Sequence, residues 1–334
     1  MAVTSPLVVL LGATGFIGSA VLRELARHPL RVRAVARRPA VVPADARADI
    51  TVHTADLTEP GAMAAAVEGA DTVIHAVAYI AEDTTWRIAE GDTAAERVNV
   101  GLVRDLVAVL SERDGARRPV GVLFTGAASQ VGWSDKEVLD GTEPDRPLGE
   151  YDRQKLAAER ALLAADAAGV LRGASVRLPT VFGYGTGATV RDKGVVAAMV
   201  RRALAGDPLT MWHDGTVRRD LLYIEDTARA VVTAAMRLPG LAGRHWLLGT
   251  GVGSPLGEVF TAIARLVARH TGKPPVPVIS VPPPGRAEAG DFHSLVIDSS
   301  AFRSATGWRP RVPLDEALLR TVGFCAGGAE GELR

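Results

Sequence analysis

An α/β chain with a doubly wound, parallel sheet and a smaller α/β cap in its C-terminal half is predicted by three observations. Short apolar runs alternate with Ala- and Leu-rich amphipathic stretches through the first half of the chain. Those runs lack the polar alternation of a sheet with one wet face, so they read as strands covered on both sides. A glycine turn, Gly12-Ala-Thr14-Gly15-Phe16-Ile17-Gly18, joins the first apolar run to the first helical stretch.

The elements follow in order. Leu7–Leu11 opens the sheet; a membrane span needs roughly 20 apolar residues, and no basic leader or small-residue cleavage site precedes the run. Helix Ser19–Arg27 leads to strands Arg31–Ala36 and Ile50–Thr54, then to helix Ala62–Val67 and strand Thr72–His75. Helix Glu96–Leu110, strand Val120–Phe124, helix Tyr151–Ala168 and strand Ala174–Leu178 complete the alternation, as parallel strands with helical crossovers require. Past Pro179 the pattern changes. Residues 183–220 are rich in Gly and Arg and hold one helix, Val195–Leu204. Leu221–Ile224 reads as a strand before Glu225-Asp226 and an Ala-rich helix, and Arg244–Leu248 as another buried strand. Helix Leu256–His270, the proline-rich Pro274–Pro284 and a terminal helix near Leu314–Val322 finish the chain. The expected division is a nucleotide-binding domain at 1–182 and 221–252 and a cap at 183–220 and 253–330.

Composition narrows the function. The 334 residues carry 38 Lys plus Arg against 38 Asp plus Glu, so charge gives no case for nucleic acid or an anionic membrane as partner. The single Cys325 excludes an intramolecular disulfide and suits a cytoplasmic location. Seven histidines without a His-x-x-x-His or His/Cys cluster predict no metal site.

Gly12, Gly15 and Gly18 stand where a buried strand hands over to a helix. A tight turn, close approach to a pyrophosphate and close helix–strand packing each favour a missing Cβ, and the helix N-terminus offers free N–H groups to phosphate. The end of the second strand then bears on cofactor choice. An acid there would accept ribose hydroxyls, whereas arginine pairs with a 2′-phosphate. The sequence reads Arg33-Ala-Val-Ala-Arg37-Arg38 with no acid, which predicts NADP(H). Asp56-Leu57, after the third strand, is placed to touch the adenine, or Asp56 caps a helix.

Tyr151 and Lys155 are four residues apart, one helical turn on one face. A phenol with a pKa near ~10 is a weak acid–base group at neutral pH. A neighbouring ammonium favours the phenolate and is expected to lower that value. Glycine turn and Tyr/Lys pair together predict carbonyl reduction by a nicotinamide cofactor.

With these residues in place, the chain resembles the extended short-chain dehydrogenase/reductase family along nearly its whole length. Gly12-x-x-Gly15-x-x-Gly18, His75-Ala76-Val77-Ala78, Val98-Asn99, Tyr151-x-x-x-Lys155, Arg177-Leu-Pro179-Thr180-Val181-Phe-Gly183, Arg219-Asp-Leu-Leu-Tyr-Ile-Glu-Asp226, Gly290-Asp291 and Gly307-Trp308-Arg-Pro fall in the family's order. Thr210-Met-Trp-His-Asp-Gly-Thr-Val-Arg-Arg-Asp220 and Tyr151-Asp-Arg-Gln-Lys155 are similar to NDP-4-keto-6-deoxyhexose 4-ketoreductases of antibiotic deoxysugar pathways. The resemblance implies a Rossmann-type fold and NADPH-dependent reduction of a dTDP-linked keto-deoxysugar, with Tyr151 as proton donor and Lys155 on the nicotinamide ribose. It implies that Ala76, Val77, Ala78, Pro179 and Val181 border the cofactor, Thr180 the substrate, and that Asn99 supports the lysine. It places Arg219 on the sugar-nucleotide diphosphate with Asp291 and, because Glu288 stands where an arginine is usual, Arg286. It also implies a homodimer through Glu96–Leu110 and Tyr151–Ala168.

One departure stands out. Phe124-Thr125-Gly-Ala127-Ala128-Ser129-Gln-Val-Gly132 puts Ala127 where the family carries a substrate-orienting Ser or Thr. Either Ser129 or Thr125 substitutes, or the enzyme manages without the hydroxyl, or the chain is a weakened, NADP-binding variant. An epimerase or dehydratase of the same fold, or reduction of a ketone without a nucleotide, are the alternative functions. Trp86, Trp133, Trp212, Trp246 and His213 either line a sugar site or serve packing and surface.

Overall fold

The structure, a computed structural model, describes residues 5–79, 88–113, 118–185, 192–212, 214–283, 287 and 289–327. The first half runs β1 (Leu7–Leu11), α1 (Phe16–Ala26), β2 (Arg31–Ala36), β3 (Asp49–Thr54), α2 (Ala62–Val67), β4 (Thr72–His75), α3 (Thr93–Glu96), a π-turn at Arg97–Gly101, α4 (Leu102–Ser111), β5 (Gly121–Ala127), a 3-10 turn at Ala128–Val131, β6 (Val138–Leu139), α5 (Glu150–Ala167) and β7 (Arg172–Leu178). The second half continues through β8 (Thr180–Phe182), α6 (Val195–Ala205), β9 (Leu209–Met211), β10 (Arg218–Tyr223), α7 (Ile224–Met236), β11 (His245–Leu247), β12 (Gly253–Pro255), α8 (Leu256–Thr271), β13 (Val278–Ser280), β14 (Val296–Ile297), α9 (Ser300–Thr306) and α10 (Leu314–Cys325).

Seven strands form one parallel sheet in the order β11-β7-β5-β4-β1-β2-β3. The apolar runs are continuous because both faces are covered. Along β1, Val8 and Leu10 enter a core with α1 and α7, while Leu7, Val9 and Leu11 enter a second core with α2, α4 and α5. The chain steps outward from β1 to β2 and β3, then returns to build β4, β5, β7 and β11 on the other side. That reversal between β1 and β4 opens a crevice at the carboxyl ends of the strands, where such sheets bind ligands.

Three sequence expectations change. The edge strand β3 has four of its six side chains exposed and none buried, so double coverage stops before this edge. The strand expected at Leu221–Ile224 belongs to β10, which lies outside the main sheet between β8 and β12. The predicted helix Glu96–Leu110 is two α-segments joined through the π-turn. The helices α6, α8 and α10 have no core of their own; Val196, Phe260 and Leu318 belong to the same buried cluster as Val8 and Leu10.

Candidate active site

The candidate cofactor residues follow the carboxyl ends of neighbouring strands. Register pairs Leu11 with Val35 on one side and His75 on the other, and His75 with Phe124. The glycine turn, Arg37-Arg38 and Ala76–Ala78 are thereby brought to one edge of the sheet. Gly12 has φ +88°, and a Cβ there would meet the Ala76 carbonyl oxygen at 2.8 Å. A Cβ on Gly18 would collide with the Gly12 carbonyl, so the first turn of α1 presses on the tip of β1. Gly15 caps α1 without any side-chain hydrogen bond, which leaves the helix N-terminus open to a phosphate. These features fit a dinucleotide pyrophosphate, with Thr14, Phe16 and Ile17 completing the turn.

Arg37 and Arg38 are exposed just past β2. The Asp56 carboxylate, also exposed, accepts from the Thr58 amide at 2.9 Å and hydroxyl at 2.7 Å. Those bonds hold its pKa low, with a smaller contribution from Arg37. They make Asp56 the head of a local turn; Gly61, not Asp56, caps α2. Leu57 is buried beneath it. Ala76, Val77 and Ala78, on the loop after β4, Pro179, between β7 and β8, and Thr180 and Val181, which open β8, are half-buried.

Tyr151 and Lys155 lie in the first turns of α5, which packs against β5 and β7. Lys155 is buried, donates to the Thr125 carbonyl at 3.0 Å and sits 4.7 Å from the centre of the Phe124 ring. Burial pulls its pKa from 10.5 down to about 8. Its Nζ is 5.9 Å from the centre of the Tyr151 ring. The expected lowering of the phenol does not occur. Burial pushes the Tyr151 pKa up, and the Asp152 carboxylate adds to the rise. The physical reason is that the ammonium is held on strand β5 while the phenol is desolvated.

A buried ion cluster sets α5 one turn further on. Arg177, on β7, contacts Glu159 of α5 at 2.5 Å and Asp145 at 2.6 Å. Beneath the site, His75 is fully buried with neither ring nitrogen hydrogen-bonded, and burial together with Lys155 lowers its pKa to about 3.

Ala127 ends β5 opposite Leu178, half-buried, with its amide donating to Gln130 Oε1 at 2.7 Å. Both proposed substitute hydroxyls donate to groups of the protein. Ser129 donates to Asp152 at 2.6 Å and Thr125 to the His75 carbonyl at 3.1 Å.

On the substrate side, Arg219 projects from β10 and donates to the carbonyls of Arg218, Gly290, Asp291 and His293. The guanidinium expected on a diphosphate therefore pins the 290–293 segment. Trp133 stacks on His293 with ring centres 4.8 Å apart. Trp246 is buried and donates to the Leu241 carbonyl at 2.8 Å, a packing role. Arg286, Trp86 and His213 lie outside the described residues. A cleft of about 490 Å³ lined by residues including Glu24, Arg229, Trp308 and Arg311 shares no residue with this site.

Sequence reasoning passed over Gln154. Its position three residues after Tyr151, on the inward face of a helix, was the available signal: a buried amide on such a face needs partners.

A family model, described as the NAD dependent epimerase/dehydratase family, matches residues 8–249. The chain belongs to that family. Among curated relatives, a dTDP-L-rhamnose 4-epimerase of Burkholderia thailandensis is 31% identical over 54% of this chain and 46% of its own length. The chain thus spans about half of that relative. A dTDP-6-deoxy-L-talose 4-dehydrogenase (NAD(P)(+)) of Kitasatospora kifunensis is 28% identical over 93% of both chains. A ceramide reductase of Caulobacter vibrioides is 30% identical over 96% of this chain and 91% of its own length. Among solved structures, MoeE5 in complex with UDP-glucose and NAD superposes with a TM-score of 0.78 at 27% identity, covering 96% of this chain and 99% of that one. Within this epimerase/dehydratase family the seven-stranded Rossmann-type sheet is shared. Among the described residues no group of His, Cys, Asp and Glu is disposed to hold a metal, and no helix is long and apolar enough to cross a membrane.

Proposed function

We propose that the chain is an NADPH-dependent reductase of the C4 ketone of a dTDP-linked 4-keto-6-deoxyhexose. The observation that carries this reading is Tyr151 and Lys155 on one turn of α5, with Lys155 bonded to β5 two strands from the glycine turn. The Kitasatospora relative, named for dehydrogenation at C4 of a dTDP-6-deoxy sugar, supports it; ketone reduction is the reverse of that reaction.

Bound on the glycine turn, a reduced nicotinamide supplies the hydride. Tyr151 gives its phenolic proton to the carbonyl oxygen as the alkoxide develops, and the Lys155 charge favours the phenolate left behind. Asn99 keeps α5 in register with the loop after β4. Arg37 and Arg38 receive the 2′-phosphate. Arg219 meets the diphosphate by exchanging backbone carbonyls for phosphate oxygens, a charge-assisted replacement. Asp291 lies beside it, and Thr180 borders the sugar. The segments 183–220 and 253–330 cap the substrate, and α4 and α5 pair two copies into a dimer.

The test is NADPH oxidation with a dTDP-4-keto-6-deoxyhexose, beside NADH and beside Tyr151→Phe. NADPH-selective turnover lost in the Phe variant is expected. Equal turnover in Tyr151→Phe refutes the proton assignment, and consumption of NADH alone refutes the cofactor choice. Reduction of a ketone without a nucleotide is the second reading. It is favoured by the engagement of Arg219 with the 290–293 carbonyls and by the full-length likeness to a ceramide reductase. Turnover of a long-chain ketone but not the dTDP sugar would select it.

A further inference from the structure

We propose that Gln154 is a positioning residue that fixes the Tyr151/Lys155 turn of α5 to the loop after β4 through Asn99. The inference rests on the Tyr151/Lys155 reading above and names a part of that machinery which the motif omits.

Three hydrogen bonds form a directed chain. The Tyr79 amide donates to Asn99 Oδ1 at 2.7 Å. Asn99 Nδ2 donates to Gln154 Oε1 at 2.9 Å. Gln154 Nε2 donates to Glu150 Oε1 at 3.1 Å. Asn99 and Gln154 are 1% and 4% exposed, so water cannot replace a lost partner at little cost. The backbone amide of Tyr79 can only donate, which sets the orientation of every amide downstream. Asn99 stands in the π-turn Arg97–Gly101, a local widening of the helix of the kind often found at functional sites.

The chain of bonds joins three separate segments. Tyr79 directly follows Ala76–Ala78, the loop expected to border the cofactor; Asn99 belongs to the helix before β5; Gln154 immediately precedes Lys155. Lys155 is otherwise secured by its bond to the Thr125 carbonyl. A shift of the first turn of α5 therefore moves both the amine and the phenol relative to the cofactor loop. Glutamine suits the position because it must accept at one atom and donate at the other. Leucine leaves Asn99 Nδ2 and Glu150 Oε1 without this partner. Glutamate preserves acceptance from Asn99 but sets a second carboxyl against Glu150, whose other oxygen is bound by Arg153 at 2.8 Å. Charged groups near the new carboxyl include Glu150, Arg153 and Lys155, with Glu90 and Asp152 acting on Arg153.

The experiment compares Gln154→Leu, the near-isosteric Gln154→Glu and Tyr151→Phe. It measures NADPH dissociation constants by cofactor fluorescence, kcat from pH 5.5 to 8.5, and the titration of Lys155 by NMR of 13C-labelled lysine. Lys155 is one of four lysines, which makes its resonance assignable by difference. Gln154→Leu is expected to raise the dissociation constant and lower kcat, each by about tenfold, and to move the Lys155 titration away from its wild-type midpoint. Gln154→Glu is expected to recover toward wild type as the pH falls, because burial beside Glu150 favours the protonated carboxyl, and to approach Gln154→Leu at pH 8. Wild-type binding, turnover and Lys155 titration in Gln154→Leu overturn the proposal. So does a Gln154→Glu protein no better than Gln154→Leu at any pH. If wild-type protein fails to reduce the keto sugar, the reductase reading falls, while NADPH binding and the Lys155 titration still decide the role of Gln154.

Discussion

Replacing Lys155 by methionine tests the energetics of the site directly, because the buried amine should make stability depend on pH in a defined window. Its pKa falls from 10.5 in the free side chain to about 8 in the fold, and burial is the cause. Below pH 8 both states hold the proton, and above 10.5 neither does. Between these values the unfolded chain binds more protons than the folded chain, so stability rises with pH. The difference of 2.5 (10.5 minus 8) at ~1.36 kcal/mol each amounts to about 3 kcal/mol. Methionine keeps the length of the side chain and removes the titration. It also removes the bond to the Thr125 carbonyl, a contribution of ~1 kcal/mol that we take as independent of pH. Urea unfolding of both proteins from pH 7 to pH 11 gives the comparison, and subtraction cancels every other titrating group. Wild type should gain about 3 kcal/mol on the variant between pH 7.5 and 10.5. Two curves that stay parallel within ~0.5 kcal/mol over that window would refute the claim that Lys155 is held desolvated.

Other substitutions probe the rest of the site. Ala127→Thr restores a hydroxyl at a residue with φ −128° and ψ 139°, a conformation that suits a β-branched side chain, and should raise kcat by roughly tenfold, about 1.4 kcal/mol; unchanged turnover in steady-state assays removes Ala127 as the limiting departure. Changing Arg37 and Arg38 together to serine should weaken NADPH binding by at least ~10-fold and leave NADH almost unaffected, read by fluorescence titration; equal losses for both cofactors refute the 2′-phosphate assignment. Arg177→Met leaves Glu159 buried without its guanidinium and should cost ~3–5 kcal/mol in urea unfolding; a loss under ~1 kcal/mol would show that the cluster is not holding α5.

How much of this was legible beforehand depended on whether a feature is local. The strands β1, β2 and β4 were bounded to the residue, since each is a mainly apolar run edged by turns. β5 reached three residues further than expected, to Ala127, because pairing with β7 carries it past the apolar run. The Leu221–Ile224 strand read as part of the main sheet because it is equally apolar. Only its partners, β8 and β12, set it apart. Of the two readings of Asp56, the helix cap is replaced by a local turn to Thr58, with Gly61 capping α2.

By itself the sequence determined the period-based elements, the glycine turn between β1 and α1, and the one-turn spacing of Tyr151 and Lys155. These follow from backbone sterics and helix geometry over a few residues. The tertiary structure decided what those groups experience. Lys155 is bonded to a strand 30 residues earlier, and the phenol of Tyr151 is raised, not lowered, by burial. Arg219 engages carbonyls more than 70 residues away, and Gln154 reaches Asn99 across 55. Desolvation and hydrogen-bond partnership depend on which distant segments pack together, and no local pattern of residues encodes that.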